Sequence, residues 1–362
     1  SLIKKTVKNT LKQAKVELSR IDAIFFGNML GGVLENNLHL GAKIAEILDV
    51  NIPIMRFESA CASGGMAFYM AKKFIDGSQN KTVLVLGAEK MTDYPVSQIS
   101  TALATAASGE EQEAGLTFPG LYGMIANRYV HEYGYDASSL ASITVKNHYH
   151  GSLNDKAHFQ RGVTIEQVLN SQIVADPLHV LDCSPISDGA AGLVLTNDNE
   201  VIKNSKASIK VLATETASDS ISLGARQSLT SLKATKQAAH KVFKEANLKP
   251  KDIQVVELHD CFSIAEIIAM EDIGFWQTGE GGKKALEGLT RLDANSGLVV
   301  NSSGGLKASG HPVAATGIKQ IGEIFLQLTG GAKGRQVNNA SFGLTQNVGG
   351  SGGTAVLSLF GV

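Results

Sequence analysis

The chain has 362 residues, 43% of them apolar, and its 33 Lys+Arg against 34 Asp+Glu leave a formal net charge of −1. That composition and a mean hydropathy of +0.03 exclude a disordered polymer, and the balanced charge excludes a basic surface for nucleic acid or an anionic membrane. Three well-separated cysteines, Cys61, Cys183 and Cys261, exclude a disulfide scaffold. Length alone predicts two domains or one duplicated α/β unit. With only 7 Pro, the 38 Gly are expected in tight turns and close backbone approaches. No apolar run nears the ~18 residues of a membrane span, and the basic N-terminus has no signal-peptide core. The expected location is cytoplasmic, with an organelle open to a chain whose targeting segment has been removed.

In chain order, Leu2–Leu18 places Val7, Leu11, Ala14 and Leu18 on one helical face and runs into a strand at Ile21–Phe26. Ile52–Phe57 reads as a strand, Cys61-Ala-Ser-Gly-Gly65 as a turn, Met66 to about Ile75 as a helix, and Thr82–Leu86 as a buried strand. Roughly a hundred residues then intervene, with Phe118-Pro-Gly-Leu-Tyr-Gly123, a helix near Ile125–Tyr133 and a polar stretch from Lys146 to Gln160. A substrate-covering insertion is placed at about 93–180. Ser187–Leu195 closes this half with a glycine-rich turn and an apolar strand.

The same order then recurs. Strand Ile209–Thr214, helix Ala234–Ala246, strands Ile253–Glu257 and Leu298–Asn301, a glycine-rich bend through His311-Pro312, a helix to about Leu328, a strand at Gln336–Ala340 and a last strand in Gly350–Leu359 form a second half. Two packed mixed-sheet halves, 1–198 and 207–362, are predicted. The second half opens with a strand that has no counterpart before Ile21. A strand bordering the first sheet, in some ~20 residues ahead of Ser1, is therefore expected.

Cys61 lies between a strand and a helix start, where backbone N–H groups and the helix dipole favour a thiolate below the ordinary ~8.5. A buried small Cys would look the same. His311, before a helix-starting Pro, matches the position of Cys61 in the repeat and makes a Cys–His pair, or else a helix cap. His259 and Cys261 end a strand, where sites collect, and could polarise a carbonyl and move a proton, or simply pack. His148, His150 and His158 have no carboxylate or Cys at ligand spacing, so no metal site is expected. Cys183 reads as core. The glycine runs at Gly304-Gly305 and Gly349–Gly353 match neither a phosphate loop nor a dinucleotide fingerprint.

Taken together these points resemble the thiolase family, in its sterol-carrier-protein-type and archaeal-like branch. The resemblance runs from Ile21 onward through Cys61-Ala-Ser-Gly64, Leu86-Gly-Ala-Glu-Lys-Met-Thr-Asp93, His259-Asp-Cys-Phe262, Asn301-Ser-Ser-Gly-Gly-Leu-Lys-Ala-Ser-Gly-His-Pro312 and Gly349-Gly-Ser-Gly-Gly353. It implies a five-layered αβαβα fold, two duplicated mixed-sheet halves plus an inserted loop domain, in a homodimer or homotetramer. It further implies Cys61 as the acylated nucleophile and His311 as its base. His259 and His311 would form one oxyanion hole, and the backbone N–H groups of Cys61 and Gly349 the other. Ser184, in Ser184-Pro-Ile-Ser-Asp-Gly189, would meet the pantetheine arm of coenzyme A.

Two positions depart from the commoner pattern. Asn347 stands where most thiolases carry a second catalytic Cys, so it is assigned to the substrate-binding group and Cys261 inherits the acid/base role. Asn347→Ala is expected to be mild, since it removes no titrating group. Ala314 replaces a commoner Gly, with modest crowding expected. The implied reaction is thiolysis of a 3-ketoacyl-CoA, or the reverse Claisen condensation of acetyl-CoA, with no cofactor beyond the acyl-CoA and CoA substrates. A ketosynthase or hydroxymethylglutaryl-CoA synthase, and a non-catalytic acyl-CoA-binding subunit with an accessory protein partner, are the alternatives.

Overall fold

The computed structural model describes residues 1–294 and 296–362. Its strands form two sheets and a hairpin. The first sheet joins β1 (Ala23–Gly27), β2 (Ile54–Phe57), β3 (Thr82–Glu89) and β6 (Gly189–Thr196) in the order β2-β1-β3-β6. The hairpin is β4 (Ile173–Ala175) with β5 (Leu178–His179). The second sheet joins β7 (Lys210–Ser218), β8 (Val255–Glu257), β9 (Val299–Val300), β10 (Phe342–Gly349) and β11 (Thr354–Gly361) in the order β7-β11-β10-β8-β9.

Pairing senses match between the sheets. β1 runs parallel to β2 and β3, with Ile24 opposite Ile54 and Leu84, and β3 runs antiparallel to β6. Likewise β8 runs parallel to β9 and β10, and β10 antiparallel to β11. The repeat read from sequence is therefore a repeat of topology. The second sheet has one strand more: β7 covers β11, whereas β6 ends its sheet among the described residues.

Helices alternate with the sheets because the parallel strands have apolar residues to bury on both faces. Leu2–Ala14 lays Val7 and Leu11 on the outer face of the first sheet, with Ile24, Phe26, Leu84 and Leu86. Between the sheets lie Ser63–Asp76 and Thr316–Leu328. Their Phe68, Ala71, Ile318, Ile321 and Ile324 pack with Phe25, Val83 and Val85 from one sheet and Val255 and Phe360 from the other. Lys233–Ala246 and Ser263–Ile273 cover the far side, on Val256, Leu344 and Leu357. Helix, sheet, helix, sheet, helix is the predicted five-layered order.

The segment between β3 and β6 folds over the second half. Helix Phe118–Tyr133 starts at Thr117, whose side chain accepts from Gly120 N, and stops at Gly134 with φ 72°. Ala137–Ser152 follows from an Asp136 cap. Together they bury Leu121, Tyr122, Tyr129, Leu140 and Ile143 against Cys261, Phe262, Ile264 and Ile267.

Two expectations need correcting. The polar stretch from Lys146 begins inside a buried helix. Lys146 Nζ lies 2.8 Å from Glu266 Oε1, and Asn147 donates to Asp260 and Glu266, so the polar groups satisfy one another. The strand at Gln336–Ala340 is an irregular connection, and β10 begins only at Phe342. Gln327 captures that segment, accepting from Val337 N at 2.8 Å and donating to Arg335 O at 2.9 Å, and Asn339 turns the chain with φ 54°. Those backbone groups are thus not free for a ladder.

Candidate active site

Cys61 sits at the end of a strained elbow. Ala60 takes φ 50°, unusual for a residue with a Cβ, and the turn is closed by Ser63 Oγ, which donates to Ala60 O at 2.5 Å and accepts from Ser59 N at 3.0 Å. Gly349 backs this elbow: a Cβ there would meet Ser59 O at 2.4 Å. The backbone N–H groups of Gly350 and of Cys61 itself favour the anion on the Cys61 sulfur.

The helix start does not hold Cys61 as a thiolate. Burial, reinforced by the Glu89 carboxylate, pushes the thiol up to about 12, outweighing the N–H groups that favour the anion. Cys61 at rest is therefore a neutral thiol that needs a base.

His311 can supply one. Thr316 Oγ1 lies 3.2 Å from Pro312 O and 2.7 Å from His311 Nδ1; with its hydrogen on the carbonyl it accepts from the imidazole, whose hydrogen is then on Nδ1. Nε2 then carries a lone pair. Burial, then the neighbouring His259 and the Lys319 ammonium, hold the ring well below the usual histidine range, so it is neutral. Ser187 Oγ accepts from His311 N at 3.2 Å, and Lys319 Nζ donates to Gly310 O at 2.6 Å, fixing the loop on both sides.

His259 takes the opposite tautomer. Asn347 Nδ2 lies 3.3 Å from His259 Nδ1 and has only hydrogens to offer, so Nδ1 accepts and Nε2 carries the hydrogen. His259 Nε2 is buried and has no hydrogen-bond partner among the described residues. Burial pushes this ring down to about 3. The two rings meet edge to face, centroids 5.0 Å apart at 83°. One ligand atom from each of Cys61, His259 and His311 lies within 4.8 Å of the others. A carbonyl placed among them meets a nucleophile, a base and a hydrogen-bond donor.

Asp260 ties the two histidine loops together. Its carboxylate accepts from Leu306 N at 2.6 Å and from Asn147 Nδ2 at 2.6 Å, and a Cβ on Gly305 would meet it at 2.4 Å. Cys261, buried beside Tyr122 and Phe262, has its thiol held up by burial and by Cys61. Ser184 is half-buried alongside, its N donating to Cys261 O at 2.9 Å. The Ala314 carbonyl lies 2.3 Å from where a Cβ on Gly64 or on Gly87 would sit, so both of those positions require glycine. His148 and His150 are spent on structure: His150 Nδ1 bonds Asn301 O at 3.0 Å and its Nε2 accepts from Leu292 N at 2.9 Å. Cys183 Sγ donates to His179 O at 3.4 Å.

Asn347 is tied into the site by three hydrogen bonds. Its Oδ1 accepts from Gly65 N at 3.1 Å, and its Nδ2 donates to Cys61 O at 3.1 Å and to His259. The side chain is 2% exposed and braces the nucleophile's elbow against the histidine. Asn347→Ala should therefore cost about 1–3 kcal/mol of stability through the orphaned Gly65 N–H, and roughly tenfold or more in kcat through a freed His259 tautomer. Urea denaturation and steady-state kinetics on the one variant check both. Thr316, Ser187, Gln346 (accepting from His259 N at 2.9 Å) and Tyr122 are site residues that sequence reasoning missed. Only the hydroxyl one helical turn after Pro312 was a visible signal.

A duplicated mixed-sheet fold with a cysteine elbow facing two histidines defines a class that the comparisons bear out. Residues 1–199 match the family model described as Thiolase, N-terminal domain, and residues 215–362 match Thiolase C-terminal domain-like. The chain is 45% identical over 352 residues to the acetyl-CoA acetyltransferase of Methanothermobacter thermautotrophicus, covering 97% of this chain and 91% of that protein. It is 43% identical to that of Methanocaldococcus jannaschii (99% and 93% covered) and 30% identical to bovine sterol carrier protein 2 (99% and 67% covered). A solved Ltp2-ChsH2(DUF35) aldolase superposes with a TM-score of 0.82 at 20% identity, covering 98% of this chain and 91% of that one, and shares its fold. The chain belongs to the thiolase family, and it is a thiolase-type acyltransferase.

Proposed function

We propose that the chain is an acetyl-CoA C-acyltransferase working through acyl-Cys61, with His259, Cys261 and His311 as the other catalytic side chains. The observation that carries this reading is the convergence of Cys61, His259 and His311, one ligand atom from each lying within 4.8 Å of the others. The relatives with acetyl-CoA acetyltransferase activity support acetyl-CoA as one substrate.

In thiolysis, His311 Nε2 takes the Cys61 proton as the sulfur attacks the C3 carbonyl of a 3-ketoacyl-CoA. The developing oxyanion accepts from backbone N–H groups of Cys61 and the Gly349–Gly350 turn, each donor worth ~3–4 kcal/mol. The C2–C3 bond breaks, leaving an acetyl-CoA enolate held by His259 Nε2–H and the now protonated His311. Cys261 gives its proton to the enolate carbon. A CoA thiol then gives its proton to the Cys261 thiolate and attacks acyl-Cys61, whose sulfur leaves with the proton from His311, and the reverse sequence is a Claisen condensation. Ser184 contacts the pantetheine arm, while Asn347 acts on substrate only through Cys61 and His259.

The halves 1–198 and 207–362, with the insertion at about 93–180 as the substrate cover, are the working domains in this reading. A homodimer or homotetramer in the cytoplasm completes it. The test is a thiolysis assay with ketoacyl-CoAs of several chain lengths, alongside intact-mass detection of acyl-enzyme. Turnover with a Cys61 adduct is expected. Absence of both at every chain length overturns the reading.

A further inference from the structure

We propose that Arg226 is a positioning residue for the oxyanion turn: its guanidinium grips Ser351 with two nitrogens and so keeps the Gly349–Gly350 backbone N–H groups aimed at the substrate carbonyl on Cys61. This rests on the use of that turn as an oxyanion hole proposed above. The turn joins β10, which ends at Gly349, to β11, which starts at Thr354. Gly349 sits directly on the nucleophile's elbow, where a Cβ would meet Ser59 O at 2.4 Å and Ala62 Cβ at 3.4 Å. Gly350 and Gly352 take φ 61° and 115°. Such a turn reaches the elbow only with glycine, and glycine does nothing to keep it still.

The restraint comes from outside the hairpin. Arg226 Nη1 donates to Ser351 O at 2.7 Å and Nη2 to Ser351 Oγ at 3.0 Å, a two-point grip on a residue that is itself 4% exposed. The same guanidinium is anchored in its own loop, with Nε donating to Ser220 O at 3.0 Å. Gly352 leaves room for it: a Cβ there would meet Arg226 Nη1 at 3.2 Å and Leu232 Cδ2 at 2.7 Å. Two further bonds hold the turn on either side of Ser351. Tyr122 Oη donates to Gly350 O at 3.2 Å, and Asp219 N donates to Gly353 O at 2.9 Å.

The loop that carries Arg226 is held in its turn by the inserted segment. Glu111, buried in the short helix Gly109–Glu113, accepts from Leu223 N at 2.8 Å, and Leu223 O accepts from Arg226 N at 3.1 Å. A line of hydrogen bonds thus runs from the insertion through Arg226 to the turn. Oxyanion donors lower a barrier only as far as they are already aimed when the charge develops. A planar fork fixes both the position and the orientation of what it holds, which a single point charge does not.

Arg226→Met keeps the stem and removes the fork. The measurements are the rate of Cys61 acetylation against acetyl-CoA concentration and the infrared band of a carbon-13-labelled acetyl carbonyl in the acetyl-enzyme. We expect the maximal rate to fall about 10–100-fold, the half-saturating acetyl-CoA concentration to change less than about threefold, and the carbonyl band to move to higher frequency as its hydrogen bonds loosen. Ser351→Ala removes one of the two contacts, and should slow acetylation about three- to tenfold with a smaller shift in the same direction. It decides the matter alone if Arg226→Met does not fold. A normal rate and an unshifted band in the folded variants, beside normal acetyl-Cys61 formation by the wild type, overturn the Arg226 proposal and leave the reading of the site standing. A slower rate with an unshifted band assigns Arg226 a merely structural part and overturns the proposal as well. If the wild type itself forms no acetyl-Cys61, both fall.

Discussion

Cys61→Ala is expected to abolish acyl-enzyme formation and to lower turnover by a factor on the order of 10⁶, because no other thiol can take its place. Cys183 is turned toward His179 O, and Cys261 lies in the core with Tyr122 and Phe262. Intact mass after acetyl-CoA treatment should show one acetyl group on the wild type and none on the variant. An adduct that persists on Cys183 or Cys261 would refute the assignment. The pH dependence follows from the same two groups. Burial raises the Cys61 thiol to about 12 and lowers His311 below its ordinary range, so the neutral pair dominates from mildly acidic to alkaline pH. Lowering the pH removes activity only once His311 is protonated; raising it creates free thiolate only near the raised thiol value. Acetylation of Cys61 should accordingly be nearly flat between about pH 6 and pH 9. A steep rise near pH 8 would instead reveal a resting thiolate.

The residues proposed for the chemistry were legible in the sequence because each follows a short strand or bend that the repeat makes visible twice. Cys61 follows β2 and His311 follows β9 at matching places, and His259 follows β8. What was not legible is the state each is in. The tautomer of His259 is set by Asn347, 88 residues away, and that of His311 by a hydroxyl whose own hydrogen goes to Pro312 O. The direction of the Cys61 shift was misread because a helix start is a local feature, whereas burial is imposed by segments remote in sequence. The second sheet shows the same limit. The place of Gln336–Ala340 in the repeat suggested a strand, but Gln327 from the preceding helix takes its backbone groups first. The polar residues Lys146 and Asn147 form an interior network with Glu266, Asp260 and Asn301, which their polarity alone does not announce.

Cys261→Ala should separate the two halves of the reaction. Acetyl transfer from acetyl-CoA to Cys61 rests on the elbow, His311 and the oxyanion donors, none of which the substitution touches, and loses only the proton that Cys261 gives to the departing CoA sulfur, so a stoichiometric acetyl-enzyme is still expected. Condensation and thiolysis both pass through the enolate, and each needs a proton moved at carbon. Asn347 occupies the place next to Cys61 and His259, but a carboxamide has no proton to exchange at neutral pH, and its amide hydrogens are committed to Cys61 O and His259 Nδ1. His311 is occupied with the nucleophile's proton, and His259 Nε2–H donates to the enolate oxygen without transferring. A loss of about 10²–10⁴-fold in steady-state turnover is therefore expected, the usual weight of a positioned acid/base group. Removing a buried sulfur also leaves a small void beside Tyr122 and Phe262, costing ~1–2 kcal/mol of stability. Thermal unfolding of the variant separates that cost from the kinetic one: a modest fall in midpoint with intact acetylation assigns the loss to chemistry. Full condensation by a folded Cys261→Ala protein would show that some other group moves the proton.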